Sequence, residues 1–179
     1  MIELRKINHS NWLKCIALEV TDEQCRFINP NIFSLAEAYV HSDANKADAE
    51  EFYRCIQFAI YHEDEMIGCA QLTSEKEYDF DGKTAYELYK LMIDRKHQGK
   101  GFEKEAVRLL LNYIKTFPYG EVENVYVQWH PENTASERLF TTTGFVIVGT
   151  DEDGAVIARW NVNSERLVKP RSSIKMTQH

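Results

Sequence analysis

The chain has 179 residues, of which 44% are hydrophobic and 27% are charged, and its formal net charge is −7. These values are typical of one soluble globular domain and argue against a disordered, collagen-like or coiled-coil protein. The negative charge also disfavours a protein that binds nucleic acid or anionic membranes, which would need a basic surface.

Neither a membrane anchor nor a metal site is predicted. No apolar run approaches the roughly 18–20 residues of a membrane span, and the N-terminal residues 1–6 lack the apolar stretch of a signal peptide. The cysteines Cys15, Cys25, Cys55 and Cys69 form no Cys-x-x-Cys pair and have no nearby His at zinc-ligand spacing. We therefore expect reduced thiols, no metal and a cytoplasmic protein.

The first half of the chain predicts a strand, two helices and three further strands. Alternating apolar residues indicate strands, and polar capping residues before an apolar period indicate helices. The predicted elements are a strand over Ile2–Ile7, a helix over Trp12–Ala17, a helix beginning at the capping box Ser34–Glu37, strands over Cys55–His62 and Met66–Thr73 that flank a polar turn, and, after a turn at Asp81-Gly82, a strand over Thr84–Ile93.

The second half predicts a long amphipathic helix and a closing hairpin. The helix, Phe102–Thr116, carries the apolar stripe Val107, Leu110, Leu111 and Ile114. It is followed by a predicted strand over Val122–Trp129, a helix over Pro131–Thr143 and a hairpin of Phe145–Thr150 with Ala155–Val162. The order β-α-α-β-β-β-α-β-α-β-β predicts an α+β (mixed α/β) fold, a mixed sheet with helices packed against it. Residues 1–162 form one predicted domain and residues 163–179 a polar, basic tail.

The segment Arg95–Phe102 follows a strand, opens the best amphipathic helix and concentrates basic residues in an acidic chain. Glycines let the backbone turn its amides outward, and the helix dipole adds positive potential, so the segment predicts a phosphate site. An ordinary loop with a solvated basic patch is the alternative. A P-loop would need Gly where Asp94 stands, and a dinucleotide fingerprint would need Gly in place of Lys104.

Two motifs resemble those of the GCN5-related N-acetyltransferases (GNAT family). Gln98-Gly99-Lys100-Gly101-Phe102-Glu103 resembles the family signature Gln/Arg-x-x-Gly-x-Gly/Ala, with Glu103 in place of the small last residue. Asn133-x-x-Ser136, followed by Leu139-Phe140 and Gly144-Phe145, resembles the second family motif. The resemblance covers residues 1–162 and implies a GNAT-like, mostly antiparallel sheet and acetyl-CoA as acetyl donor.

The resemblance also implies which residues contact the donor. The end of the fourth strand would bind the pantetheine arm through its backbone, the loop amides would bind the pyrophosphate, and the last helix would face the cofactor. In that order the implied cofactor-binding residues are Leu91, Met92 and Ile93; Gln98, Gly99, Lys100, Gly101, Phe102 and Glu103; and Asn133, Ser136 and Phe140.

Glu87 is the implied general base, because it lies eleven residues before Gln98, where relatives place a catalytic glutamate. A strand-edge glutamate that faces water is the alternative. The family's usual general acid is a tyrosine, but here that position is Phe140, so a proton would come from water or another tyrosine, such as Tyr126. Because Phe140 lacks the hydroxyl, the alternative is a regulatory module that binds acyl-CoA without catalysing turnover.

The segments Arg26–Asn31 and Ser34–Ala38 resemble the bacterial spermine/spermidine (diamine) acetyltransferase branch. They imply a small cationic amine as acceptor, with another amine, such as a protein N-terminus, amino acid or aminoglycoside, as the alternative. Candidate partners of the cation are Asp22, Glu23, Glu37 and the acidic segment 75–81. His130 is expected near the acetyl site, whereas His97 is more typical of a surface residue. Relatives are often dimers through their C-terminal strands, so a homodimer is expected.

Overall fold

The computed structural model describes residues 1–41, 54–75 and 85–164. Within these ranges seven strands form one sheet, with four α-helices around it. The strands are β1 (Ile2–Lys6), β2 (Arg54–His62), β3 (Glu65–Glu75), β4 (Ala85–Ile93), β5 (Asn124–Trp129), β6 (Val146–Thr150) and β7 (Val156–Asn161). The helices are α1 (Trp12–Ile16), α2 (Asn31–Val40), α3 (Phe102–Ile114) and α4 (Thr134–Thr142), with a 3-10 helix at Gln24–Arg26.

The sheet has the strand order β1-β2-β3-β4-β5-β7-β6. Its pairs are antiparallel, except that β4 and β5 run parallel. The predicted element order and the mixed, mostly antiparallel sheet are therefore confirmed. So are the two predicted hairpins, because β2 pairs with β3 and β6 pairs with β7.

Helix α3 supplies one side of the main core. All four residues of its predicted apolar stripe are fully buried, and the helix lies against β1 and β4. Helices α1 and α2 pack on the opposite face of the sheet, against β3 and β2. Side chains of β4 are divided between these two faces, because successive residues of a strand point to opposite sides. None of the helices in the described ranges has the length and apolar content that crossing a bilayer requires.

Strands β4 and β5 diverge soon after they meet. Their parallel pairing is limited to Tyr86 with Val125 and Glu87 with Tyr126. Directly afterwards β4 contains a bulge, because Leu88 pairs with Leu72 and Lys90 with Gln71 while the register skips Tyr89. A bulge bends a strand and re-aims its side chains. The C-terminal halves of the two strands consequently border a gap in the sheet.

The predicted start of α2 is wrong. The helix begins at Asn31 and not at Ser34. Pro30 ends the preceding segment, since its ring fixes φ, and the buried side chain of Asn31 donates to the carbonyl of Cys15 at 2.8 Å. Ser34 therefore lies inside the helix and faces the sheet, where its hydroxyl accepts a hydrogen bond from Lys90.

Other predicted boundaries shift by a few residues. Helix α4 begins at Thr134 and not at Pro131, because Asn133 caps it. Three predicted features lie outside the described residues. They are the turn at Asp81-Gly82, residues 76–81 of the acidic segment, and the tail from residue 165 onward.

Candidate active site

A cavity of about 560 Å³ lies where β4 and β5 separate. Its wall combines the end of β4, the loop before α3, the end of β5 and one side of α4. It brings together most of the residues that the resemblance assigns to acetyl-CoA, namely Leu91, Met92, Ile93, Gln98, Gly99, Gly101, Glu103, Asn133, Ser136 and Phe140. Elements far apart in the chain thus form one site.

The two loop glycines adopt the left-handed conformation that the predicted turn requires. Gly99 has φ 75° and Gly101 has φ 80°. Apart from the glycine and its two chain neighbours, no described atom lies within 4 Å of where either Cβ would stand, so backbone conformation, and not crowding, favours glycine here. Gly101 also precedes α3 as its N-cap, and no side chain caps that helix end. The backbone amides at this end of α3 are therefore suited to binding the phosphates of a nucleotide-type ligand.

The side chain of Gln98 braces the loop. Its Nε2 donates to the carbonyl oxygen of Ile93 at 2.8 Å and to Oε1 of Gln24 at 2.9 Å. These bonds join the loop to the end of β4 and to the 3-10 helix. Because the side-chain amide group is used within the protein, the backbone of Gln98 is the part suited to a ligand.

The basic residues of the loop do not act as one cluster. Arg95 forms an ion pair with Glu19 at 2.8 Å, and His97 approaches Glu65 at 3.3 Å. Lys104 lines the cavity, as does Arg138 from α4. Of the basic residues in the segment 95–104, Lys104 therefore lines the cavity, and Arg138 is a basic residue of the wall that the sequence did not single out.

Three loop residues differ in their relation to the cavity. Lys100 and Phe102 lie outside its wall, and the Phe102 ring stacks on His62 with centroids 4.8 Å apart. Glu103 lines the wall from the first turn of α3, where a carboxylate is stabilised by the helix dipole. The contacts of all three with a cofactor stay predictions.

Helix α4 closes the cavity with an aromatic stack. Asn133 caps the helix, its Oδ1 accepting from the amide of Ser136 at 3.1 Å. The buried ring of Phe140 stacks on Trp129 and meets Phe145 edge-on, with centroids 5.8 Å and 5.4 Å apart. Phe140 thus occupies the cavity wall without a hydroxyl, as the sequence indicates.

A second cavity, of about 360 Å³, adjoins the first beneath α2. Both cavities are lined by Phe27, Ile28, Tyr89 and Lys90. The second also contains Glu37, one of the predicted partners of a cation, whereas Asp22 and Glu23 are exposed residues outside both walls.

The carboxylate of Glu37 is held in place by a chain of amides. Its Oε2 accepts from Nε2 of Gln71 at 2.8 Å, and Oε1 of Gln71 accepts from Gln57 at 2.7 Å. Gln71 is fully buried on β3 and Gln57 lies on β2. The sheet therefore orients the carboxylate at the cavity wall.

Lys90 and Tyr89 line the site, although the sequence analysis assigned neither of them to it. Lys90 is 6% exposed, and its Nζ donates to the carbonyl of Asn29 at 2.7 Å and to Oγ of Ser34 at 3.0 Å. Burial lowers the pKa of Lys90, against the opposing effect of Cys69, Cys15 and Glu37. Its signal in the sequence was a charged residue within the mostly apolar end of a strand.

Tyr89 is the bulge residue of β4 and is half exposed. Burial raises its pKa above the usual tyrosine value, and the charges of Glu37 and Glu87 add to the effect. The phenol therefore keeps its proton at neutral pH. We find no other tyrosine among the described residues of the larger cavity's wall.

The remaining candidates lie around the site. Glu87 is half-buried on β4, one residue before the cavity-lining stretch, and its role as a base stays a prediction. Tyr126 packs with Ala85 and Ile157 and does not line the cavity. His130 does line it, with its ring 5.5 Å from that of Phe27.

Tyr86 is a buried residue of β4 that bonds to the segment before β5. Its hydroxyl accepts from the amide of Tyr119 at 2.7 Å and donates to the carbonyl of Gly120 at 3.3 Å. Burial raises its pKa to about 12.

Comparisons with known proteins agree with this architecture. Residues 2–146 match the family model of the acetyltransferase (GNAT) domain. The chain is 24% identical to the spermine/spermidine N(1)-acetyltransferase of Bacillus subtilis (strain 168) over 149 residues, which span 83% of this chain and 90% of that protein.

Solved structures show the same fold. The spermidine N-acetyltransferase of Vibrio cholerae, in complex with CoA and spermine, has a TM-score of 0.63 and 20% identity, covering 88% of this chain and 92% of that one. The aminoglycoside acetyltransferase AAC(6')-Ib, in complex with coenzyme A, has a TM-score of 0.65 and 18% identity, covering 90% and 95%. The chain described here therefore belongs to the GNAT family of N-acetyltransferases.

Proposed function

We propose that this protein transfers the acetyl group of acetyl-CoA to a primary amine of a polyamine such as spermidine or spermine, by direct attack in a ternary complex. The observation that carries the proposal is the meeting of two cavities at Phe27, Ile28, Tyr89 and Lys90. One cavity is suited to the donor and the other to a cationic acceptor, so the two substrates would meet at this junction.

The larger cavity supports acetyl-CoA as the donor. The amides after Gly99 and Gly101 would bind the pyrophosphate at the start of α3, and Lys104 would add a positive charge. The apolar end of β4 would border the pantetheine arm. Solved relatives of the same fold contain CoA, which supports this assignment.

The smaller cavity supports an alkylammonium acceptor. Glu37 offers a carboxylate, and the rings of Phe27, Phe33 and Tyr89 surround the same space. Aromatic faces attract ammonium groups, and methylene chains gain from contact with the rings. The similarity to a spermine/spermidine acetyltransferase and to a spermidine acetyltransferase favours a polyamine.

Acetyl transfer requires an unprotonated amine, a polarised thioester and a proton for the leaving thiolate. We assign the first task to Glu87, acting directly or through water, because an alkylamine with a pKa of about 10 is protonated at neutral pH. Backbone N–H groups of the β4 bulge and strand end, around Tyr89 and Ile93, would polarise the thioester oxygen.

Tyr89 is the best-placed tyrosine to protonate the thiolate, since Phe140 cannot and Tyr126 lies outside the cavity. The proton is not indispensable. A thiol has a pKa of about 8.5, so thiolate is a tolerable leaving group at neutral pH.

The experiment is to measure CoA thiol release from acetyl-CoA with spermidine, spermine, an N-terminal peptide, free amino acids and aminoglycosides. Release with polyamines alone supports the proposal. If CoA is released only with another amine, that amine is the acceptor and the polyamine proposal is wrong. If CoA stabilises the fold against heat but no amine gives turnover, the protein is an acyl-CoA-binding module and the enzyme proposal is wrong for this chain.

We also propose a homodimer in the cytoplasm. The edge strand β6 exposes Val146, Ile147 and Val148 by 40–65%, an apolar edge that a second copy could cover. The four cysteines are free thiols, which suits a reducing compartment. Light scattering of the wild type and of Ile147→Lys tests the dimer, and a monomeric wild type contradicts it.

A further inference from the structure

Lys90 lies at the point where the two cavities meet, and its amine is almost completely buried. The residue is 6% exposed and lines both cavities. It follows the bulge at Tyr89, in the strand whose end borders the pantetheine arm in the proposed donor complex. Its amine bonds to Asn29 and Ser34 of the smaller cavity, next to the larger cavity in which the donor is proposed to bind.

A neutral amine can form the hydrogen bonds that Lys90 makes. The Nζ atom has two acceptors in the protein, the carbonyl of Asn29 and the hydroxyl of Ser34. A neutral amine has two N–H groups and one lone pair, whereas an ammonium has three N–H groups. Within the described ranges Lys90 forms no ion pair that would favour the ammonium. Two donated bonds therefore leave the lone pair of the neutral form available.

The charged and titratable groups around Lys90 come from every neighbouring element. They are Glu37 on α2, Cys15 on α1, Cys69 on β3 and Tyr89 on β4 itself. The negative charges among these groups favour the ammonium, but burial outweighs them and lowers the pKa of Lys90. At neutral pH more of this lysine is unprotonated than of a lysine in water.

We propose that Lys90 is itself a site of Nε-acetylation by the acetyl-CoA bound in the larger cavity. The inference rests on the proposed function only for the donor. The lone pair of Nζ attacks the thioester carbonyl carbon, a C–N bond forms and the C–S bond breaks. The leaving CoA thiolate takes up the proton that Nζ loses, so the products are acetyl-Lys90 and CoA.

Acetylation of Lys90 closes the junction to the acceptor. The acetyl group occupies space where the cavities meet, and the amide that replaces the amine has one N–H for two former acceptors. A polyamine in the smaller cavity then loses its path to the donor. The protein would therefore inactivate itself when acetyl-CoA is present and acceptor is scarce.

The experiment incubates the full chain with acetyl-CoA, without amine, and maps acetylated lysines by peptide mass spectrometry. We expect acetyl-Lys90, and we expect excess CoA to prevent it. Acetic anhydride, which needs no bound donor, serves as the control reagent: it should label the exposed Lys6 and Lys14, which acetyl-CoA should leave unmodified. Turnover of spermidine should fall in proportion to the fraction of chains acetylated at Lys90.

Two results would overturn the inference. One is an unmodified Lys90 in a protein that acetylates an amine, which rejects this inference and leaves the proposed function intact. The other is acetylation of Lys90 that excess CoA does not reduce, since bound donor is then not its source. A protein that neither binds CoA nor acetylates any amine or lysine contradicts the proposed function as well.

Discussion

The carboxylate of Asp94 accepts a hydrogen bond from the backbone amide of Glu19 at 3.0 Å, although 75 residues separate them in the chain. Its second oxygen accepts from the amide of Lys96 at 3.0 Å. Asp94 is 6% exposed and directly follows β4. One side chain therefore fixes where the loop before α3 leaves the sheet and where the segment after α1 meets it.

Replacing Asp94 by Asn should destabilise the protein. An Asn side chain places an NH2 group against one of two N–H donors, so at least one charge-assisted bond is lost. We expect the free energy of unfolding to fall by about 1–3 kcal/mol, measured by urea denaturation at neutral pH. Asp22→Asn, at an exposed site, is the matched control and should change little. Equal losses in both variants would contradict this role of Asp94.

The same carboxylate predicts a dependence on pH. Burial alone would raise the pKa of Asp94, but hydrogen bonds from the Lys96 and Glu19 amides and the nearby positive charges outweigh it, so the pKa lies below its ordinary value. A lowered pKa in the folded state stabilises the fold at pH values above the pKa of the unfolded state, which is about 4. This stability is lost as the pH falls through the pKa of the folded state. The difference between wild type and Asp94→Asn should therefore shrink below about pH 4.

Glu37→Gln should weaken binding of the acceptor. The amide of the variant can still accept from Gln71, so the change removes charge from the smaller cavity with little change of shape. A partly exposed charge pair contributes about 1 kcal/mol, or about fivefold in KM for spermidine. KM of the wild type should also rise with salt. Glu23→Gln, outside both cavities, is the control, and an equal rise in its KM would argue against a specific role for Glu37.

Glu87→Gln tests the proposed general base. Loss of a base typically costs about 100-fold or more in rate, so we expect a lower kcat with little change in KM for acetyl-CoA. The pH dependence of kcat should shift to higher pH, because the reaction then depends on the fraction of amine that is already unprotonated. Glu152→Gln, in the exposed turn before β7, is the control. An unchanged pH profile in Glu87→Gln would remove this residue as the base.

Phe140→Tyr and Tyr89→Phe test the source of the last proton. Phe140 lines the larger cavity and Tyr89 lines both, so each substitution adds or removes one hydroxyl at the site. We expect Tyr89→Phe to lower kcat by about tenfold, less than the roughly 100-fold or more that is typical of acid catalysis, because a thiolate can also leave without a proton. The double variant should recover part of this loss. Steady-state rates between neutral and alkaline pH measure both. If neither variant changes kcat, water protonates the thiolate.

The glycine loop and α3 could be predicted from the sequence because their causes are local. The apolar stripe from Val107 to Ile114 repeats at helical spacing, and Gly99 and Gly101 satisfy a backbone conformation that other residues rarely adopt. The start of α2 was mispredicted because a buried contact of Asn31 outweighs the capping pattern at Ser34.

The sequence by itself determined the element order, the family and the loop suited to phosphate, since periodicity, turn residues and short motifs are written in neighbouring residues. Only the tertiary structure decided which polar side chains meet at the site. Lys90, Ser34 and Glu37 come together because α2 packs on the sheet over the end of β4, and Tyr89 reaches both cavities because a bulge displaces it from the strand register. Such meetings depend on strand register and helix packing, which no local pattern encodes.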